Sequence, residues 1–81
     1  MEENELLSNI GLLHTTPMGA ERICRNLGID SDAVEYCREK ILSPEACVSR
    51  KGKNWYVAVE NCVITVNASS YTIITAHKSP L

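Results

Sequence analysis

Residues 50–66 read RKGKNWYVAVENCVITV. Apolar residues alternate at 55, 57 and 59 and again at 62, 64 and 66, the period of two strands that each bury one face. Glu60-Asn61 leaves room for a two-residue turn, with Asn61 tolerant of the positive φ such turns need. That turn sets Val59 against Cys62, Val57 against Ile64 and Trp55 against Val66, so every facing pair is apolar. Toward the N-terminus, a second turn at Lys51-Gly52 sets Arg50 against Lys53 and Val48 against Trp55. Ala46, Val48, Trp55, Val57, Val59, Cys62, Ile64 and Val66 then share the core face of a sheet.

The next stretch, NASSYTIITAHK at 67–78, supplies a fourth strand. A hairpin loop with an odd number of residues turns Ile74 and Ala76 toward the core. It sends Tyr71, Ile73, Thr75 and His77 to the other face, beside Asn54, Tyr56, Thr65 and Asn67. An even loop buries Thr75 and His77 instead, and an unpartnered buried histidine is costly, so the odd loop is expected.

The first half follows a helical period. Leu6, Leu7, Ile10 and Leu13 mark a short first helix ending within 11–14. In TTPMGAERICRNLG, Thr16 suits an N-cap, Pro17 the first turn and Gly28 the residue past the end, with Ala20, Ile23, Cys24 and Leu27 as its apolar stripe. Gly19 weakens this helix and marks close packing. A third helix begins at Asp30 or Ser31, where Asp32 and Glu35 favour its positive end. Val34, Cys37, Ile41 and Leu42 line its buried side, and Ser43-Pro44 ends it. The reading is a single α+β domain over 1–81. A helical half at about 4–43 packs on one face of a four-stranded antiparallel meander at about 46–78.

At 81 residues, 44% hydrophobic and 22% charged, the chain has the composition of a small globular domain. Its acidic start lacks the basic and apolar regions of a signal peptide, so a cytoplasmic, non-membrane protein is expected. The net charge of −2 divides unevenly. Residues 1–49 hold nine acids against four bases, whereas 50–81 hold one acid against Arg50, Lys51, Lys53 and Lys78. Cys24, Cys37, Cys47 and Cys62 are too widely spaced for paired zinc ligation, and no cofactor or metal motif is present.

These residues imply one candidate surface. Tyr56 and Tyr71 offer stacking planes, with Lys51, Lys53, Asn54, Asn67 and Ser70 around them, and tyrosines beside lysines suit single-stranded RNA. His77 is one candidate proton-transfer group, and His14 in LLHTTPMG is a second. With Lys78 to offset phosphate charge, the set has the groups for metal-independent RNA cleavage. The competing class is a non-enzymatic module that uses the same tyrosine-rich face against a protein partner. Oligomeric state is left open by the sequence.

LHTTPMGAERICRNLGI, EYCREKIL, RKGKNWYV and VITVNASSYTIITAHK resemble an uncharacterised family of short prokaryotic proteins catalogued as domain of unknown function 3781. The resemblance runs from about Leu13 to Lys78 and implies a small stand-alone protein without assigning an activity. The order of helices and four antiparallel strands is also similar to the group of barnase, colicin ribonucleases and RelE-type toxins. That similarity implies a ribonuclease-like, toxin-like role for Asn67, Ser70, Tyr71, Thr75, His77 and Lys78.

Overall fold

The computed structural model describes residues 2–78. Helix α1 (Glu2–Ser8) leads through a 3-10 turn at Ile10–Leu12 to α2 (Pro17–Leu27) and α3 (Ala33–Ile41). Strands β1 (Cys47–Lys51), β2 (Asn54–Val59), β3 (Cys62–Asn67) and β4 (Ile73–Lys78) follow. The strands lie in the order β1-β2-β3-β4 and pair antiparallel throughout, which makes the sheet a meander.

Local chemistry fixes the helix ends. Thr16 Oγ1 accepts a hydrogen bond from Gly19 N at 3.0 Å, Pro17 fills the first turn, and Gly28 closes α2 at φ 68°. Asp32, rather than Asp30 or Ser31, caps α3 by accepting from Glu35 N at 3.0 Å. Ile23 and Leu27 of α2 and Ala33, Cys37 and Ile41 of α3 pack into one core with Trp55, Val57, Val59, Ile64, Val66 and Ala76. Leu42, expected inside, is the residue after α3 and is exposed. All four cysteines are free thiols, Cys37 and Cys62 buried and Cys47 exposed.

The β2–β3 register is the expected one, with Val59 facing Cys62, Val57 facing Ile64 and Trp55 facing Val66. The β1–β2 hairpin differs by two residues: Val48 faces Val57, Arg50 faces Trp55 and Lys51 faces Asn54. Gly52 therefore occupies the first central position of the turn, at φ 62°, where a glycine relieves the strain of a tight hairpin. A shift of two preserves which residues share a face, so the core face survives, and the Arg50 guanidinium lies 5.5 Å from the centre of the Trp55 ring. In the β2–β3 turn the positive φ falls on Glu60 (55°) instead of Asn61. Glu60 is drawn toward α3, where its carboxylate accepts from Lys40 Nζ at 2.6 Å.

The last hairpin departs from both loop parities weighed above. Val66 faces Ile73, which leaves an even number of residues (67–72) between them, yet Thr65 faces Thr75 and Ile64 faces Ala76. Ile74 is the extra residue of a β-bulge, and one extra residue inverts the side-chain alternation beyond it. Ile73 and Ala76 are both buried, at 1% and 0% exposure, while Ile74 stands 43% exposed. Ile73 and Ile74 thus exchange the places expected of them, while Thr75 and His77 still face outward.

Candidate functional site

The rows of facing residues on the uncovered side of the sheet follow from the pairings. One row joins Cys47, Ala58, Val63 and His77, and the next joins Ser49, Tyr56, Thr65 and Thr75. In that second row Thr65 is only 7% exposed, shielded between its half-buried neighbours Tyr56 and Thr75. A third row begins with Lys51, Asn54 and Asn67. It continues because Asn67 N donates to Thr72 O at 2.9 Å, and Thr72 in turn forms a parallel bridge with His14. Five residues from five chain segments, Lys51, Asn54, Asn67, Thr72 and His14, therefore cross the loop end of the sheet in line, and all five are polar.

His14 reaches this row because the segment after the 3-10 turn adds itself to the outer edge of β4. His14 N donates to Tyr71 O at 3.2 Å, Ile73 N donates to His14 O at 2.7 Å, and Thr15 Oγ1 donates to Ile73 O at 3.1 Å. The strap thereby satisfies backbone groups that an edge strand otherwise leaves open. Asn26 of α2 covers the same edge further along, donating from Nδ2 to Ala76 O at 3.3 Å.

The side chains at this corner form a hydrogen-bonded chain. His14 Nδ1 lies 2.8 Å from Leu12 O, His14 Nε2 lies 3.0 Å from Thr72 Oγ1, and Thr72 Oγ1 lies 2.7 Å from Ser70 Oγ. A carbonyl only accepts, so Nδ1 carries the hydrogen and the Nε2 of the neutral imidazole is an acceptor. Thr72 must then donate to Nε2, and Ser70 donates to Thr72. When His14 is protonated the whole chain reverses: Nε2 donates to Thr72, Thr72 to Ser70, and Ser70 to Asn67 Oδ1, which lies 3.2 Å away. Asn67 Oδ1 also accepts from the backbone N–H groups of Ser69 and Ser70, at 2.9 and 3.0 Å, and so pins the turn that carries the serine.

Tyr71 sits at the centre of this turn with φ 61°, a left-handed conformation that costs a bulky side chain on the order of 1–3 kcal/mol. Its ring, expected on the uncovered face, lies on the core side instead, 5.3 Å from the Trp55 ring centre and tilted by 36°. Backbone bonds from Tyr71 N to Asn67 O and from His14 N to Tyr71 O hold the kink on either side. The kink brings the hydroxyls of Ser70 and Thr72, two residues apart, into contact.

The other expected residues are distributed as follows. Asn54 and Tyr56 stand together on the uncovered face, Asn54 Nδ2 donating to the tyrosine hydroxyl at 3.4 Å. Lys53 lies in the β1–β2 turn, and its carbonyl accepts from Ala68 N at 2.8 Å, which ties the two hairpin ends together. Neither Lys51 nor Lys53 forms an ion pair among the described residues. His77 and Lys78 are adjacent on one strand and project to opposite faces. His77 faces Val63 on the open side, whereas Lys78 faces Cys62 and reaches the C-terminal end of α2 beside Gly28. Five residue steps along the strand, about 16 Å, separate His77 from Thr72 and hence from the His14 corner. The structure does not bring His14, His77 and Lys78 together.

Thr72 and Thr15 were missed by sequence reasoning. The signal for Thr15 is LLHTT itself, a hydroxyl-rich stretch between two helices that suits addition to a sheet edge, and Thr72 is marked only by its place among the hydroxyls of SSYT.

No helix among the described residues is long and apolar enough to cross a membrane. No match to a curated protein or to a solved structure was found, so the likeness to ribonuclease folds has no structural counterpart. One family profile does match, over residues 7–77, and it carries the description "protein of unknown function". The chain belongs to that family, DUF3781.

Proposed function

We propose that the protein binds single-stranded RNA across the uncovered face of its sheet, entering from the loop end. The observation that carries this reading is the polar row from Lys51 to His14, with Lys51 and Lys53, which have no ion pair among the described residues, at one side and Tyr56 one row behind. Lysines free of carboxylate partners attract a phosphate backbone, Asn54 and Asn67 frame the path, and Tyr56 is a plane on which a base stacks. Rigid strands fix the spacing of these groups, which favours binding over a loop-borne arrangement. Cleavage by His77 with Lys78 is not part of the proposal, because the two side chains leave the strand on opposite faces.

A second reading has an observation of its own. Ala58 and Val63 form a small apolar centre on the same face, between Cys47 and His77, and such a centre suits a protein partner. Fluorescence anisotropy with labelled single-stranded RNA oligonucleotides over a range of salt separates the two. RNA binding predicts that Lys51→Glu with Lys53→Glu abolishes the complex. Each single lysine substitution should lower the salt slope by about 0.7, and Tyr56→Ala should weaken binding by about 1–3 kcal/mol. Absence of binding at low salt, or affinity indifferent to both lysines, leaves the protein-partner reading.

A further inference from the structure

The hydroxyl–imidazole chain at the His14 corner has the parts of a nucleophilic site, and its chemistry does not depend on RNA binding. A hydroxyl becomes a nucleophile when a base lies within hydrogen-bond reach and a third group orients that base. Thr72 Oγ1 lies 3.0 Å from His14 Nε2, and Leu12 O, 2.8 Å from Nδ1, fixes both the tautomer and the ring plane. Ser70 Oγ, 2.7 Å from Thr72 Oγ1, hydrogen-bonds the reacting hydroxyl and fixes its rotamer. The left-handed Tyr71 between the two hydroxyls holds them in this relation.

We infer that Thr72 is an acyl-accepting nucleophile, with His14 as its general base and a carboxylic ester or thioester as the acyl donor. The choice of acyl over phosphoryl transfer rests on the charges present. Phosphoryl transfer spreads charge over three oxygens and relies on cations close to them. The lysine that shares the row, Lys51, is three strand spacings from Thr72, about 14 Å. Acyl transfer develops a single charge, on the substrate's carbonyl oxygen, and does not require a cluster of cations at the reacting atoms.

The steps balance without a further reagent. Thr72 Oγ1 attacks the carbonyl carbon as its proton passes to His14 Nε2. The tetrahedral intermediate collapses, its bond to the alkoxide or thiolate breaks, and that leaving group takes the proton from Nε2. Water then attacks the Thr72 ester, giving a proton to Nε2. Thr72 leaves with that proton, so the products are a carboxylic acid and an alcohol or thiol.

The test uses the full chain with p-nitrophenyl acetate, following p-nitrophenolate release and locating the acetyl group by peptide mass mapping. Wild type should release p-nitrophenolate with acetyl on Thr72, and His14→Ala should slow release by about 10²–10⁴-fold. Thr72→Val should abolish the Thr72 adduct while keeping the thermal midpoint close to wild type, and Thr72→Ser should restore it. Ser70→Ala should slow acylation while leaving the site of the adduct unchanged. An adduct confined to Cys47 or to lysines, or release unaffected by either His14→Ala or Thr72→Val, overturns the inference. Because acylation is read without nucleic acid, its failure says nothing against RNA binding, and RNA binding can fail while acylation stands.

Discussion

Exchanging which isoleucine of β4 is truncated tests the bulge directly. Ile73 is 1% exposed and Ile74 is 43% exposed, although they are neighbours of identical chemistry. Replacing Ile73 by alanine strips three carbons from the core, about 2.4 kcal/mol at roughly 0.8 kcal/mol per methylene, and the residual cavity raises the loss to about 3–4 kcal/mol. The same change at Ile74 removes atoms already near water, with a loss below about 1 kcal/mol. A domain of this size holds about 4–12 kcal/mol in total, at roughly 0.05–0.15 kcal/mol per residue, so the first variant approaches the limit of folding. At about 4–8 °C per kcal/mol the thermal midpoint should fall by roughly 12–30 °C for Ile73→Ala and by less than about 8 °C for Ile74→Ala. Circular dichroism melts, with urea midpoints as a second measure, give both values. Equal losses, or a larger loss at Ile74, would refute the bulge and with it the alignment of Thr72 beside Asn67.

Two further outcomes follow from the packing. A methyl at Gly19 would overlap Thr15 Oγ1, the group that donates to Ile73 O, so Gly19→Ala should destabilise the fold despite a helix-propensity gain of about 1 kcal/mol. In a Thr15→Ala background the same substitution should cost much less, because only the 3.1 Å approach to Thr16 Oγ1 remains, and a double-mutant cycle with no coupling defeats this account. Burial, reinforced by the neighbouring thiols of Cys62 and Cys24, pushes Cys37 up to about 12. An unfolded thiol ionises near about 8.5, so the native state retains a proton that the unfolded chain loses above that pH. The contribution is complete below that range and declines as pH rises toward 12, with a slope approaching about 1.4 kcal/mol per pH unit. Cys37→Ala should flatten the alkaline limb of the denaturation profile, and identical limbs in the two proteins would show that the thiol contributes nothing.

How far the sequence could be read depended on whether local signals were sufficient. The pairing of β2 with β3 was legible because a two-residue turn and three apolar pairs admit one register, and the α2 ends were legible from Thr16, Pro17 and Gly28. The β1–β2 turn was misplaced by one residue, because RKGK allows glycine at either central position and alternation is blind to a shift of two. The bulge was invisible for a related reason. Each uniform parity buries one isoleucine of the Ile73-Ile74 pair and exposes the other, and only an interruption of the strand buries both Ile73 and Ala76. Tyr71 followed from the same error: once Ile73 turns inward the tyrosine two residues earlier turns with it, and its ring meets Trp55 rather than solvent.

The two ends of the sheet divide the work between stability and chemistry. At the end that carries Glu60 and Lys78, the charges serve the fold: Glu60 holds Lys40 of α3, and Lys78 sits at the C-terminal end of α2, where a cation complements the helix dipole. At the opposite end the lysines have no acidic partner among the described residues, the polar side chains align across every strand, and the one strained aromatic residue lies between two touching hydroxyls. Strain of that kind persists only where surrounding contacts over-determine it, and here they do, through Trp55 on one side and the His14 strap on the other. His77, the more conspicuous histidine in the sequence, faces a valine at the stable end, with its Nδ1 3.2 Å from the neighbouring Lys78 carbonyl. His14 is inconspicuous because its partners at the edge of β4, Tyr71, Thr72 and Ile73, lie 57 to 59 residues away, and it acquires a role only when its own strap closes that edge.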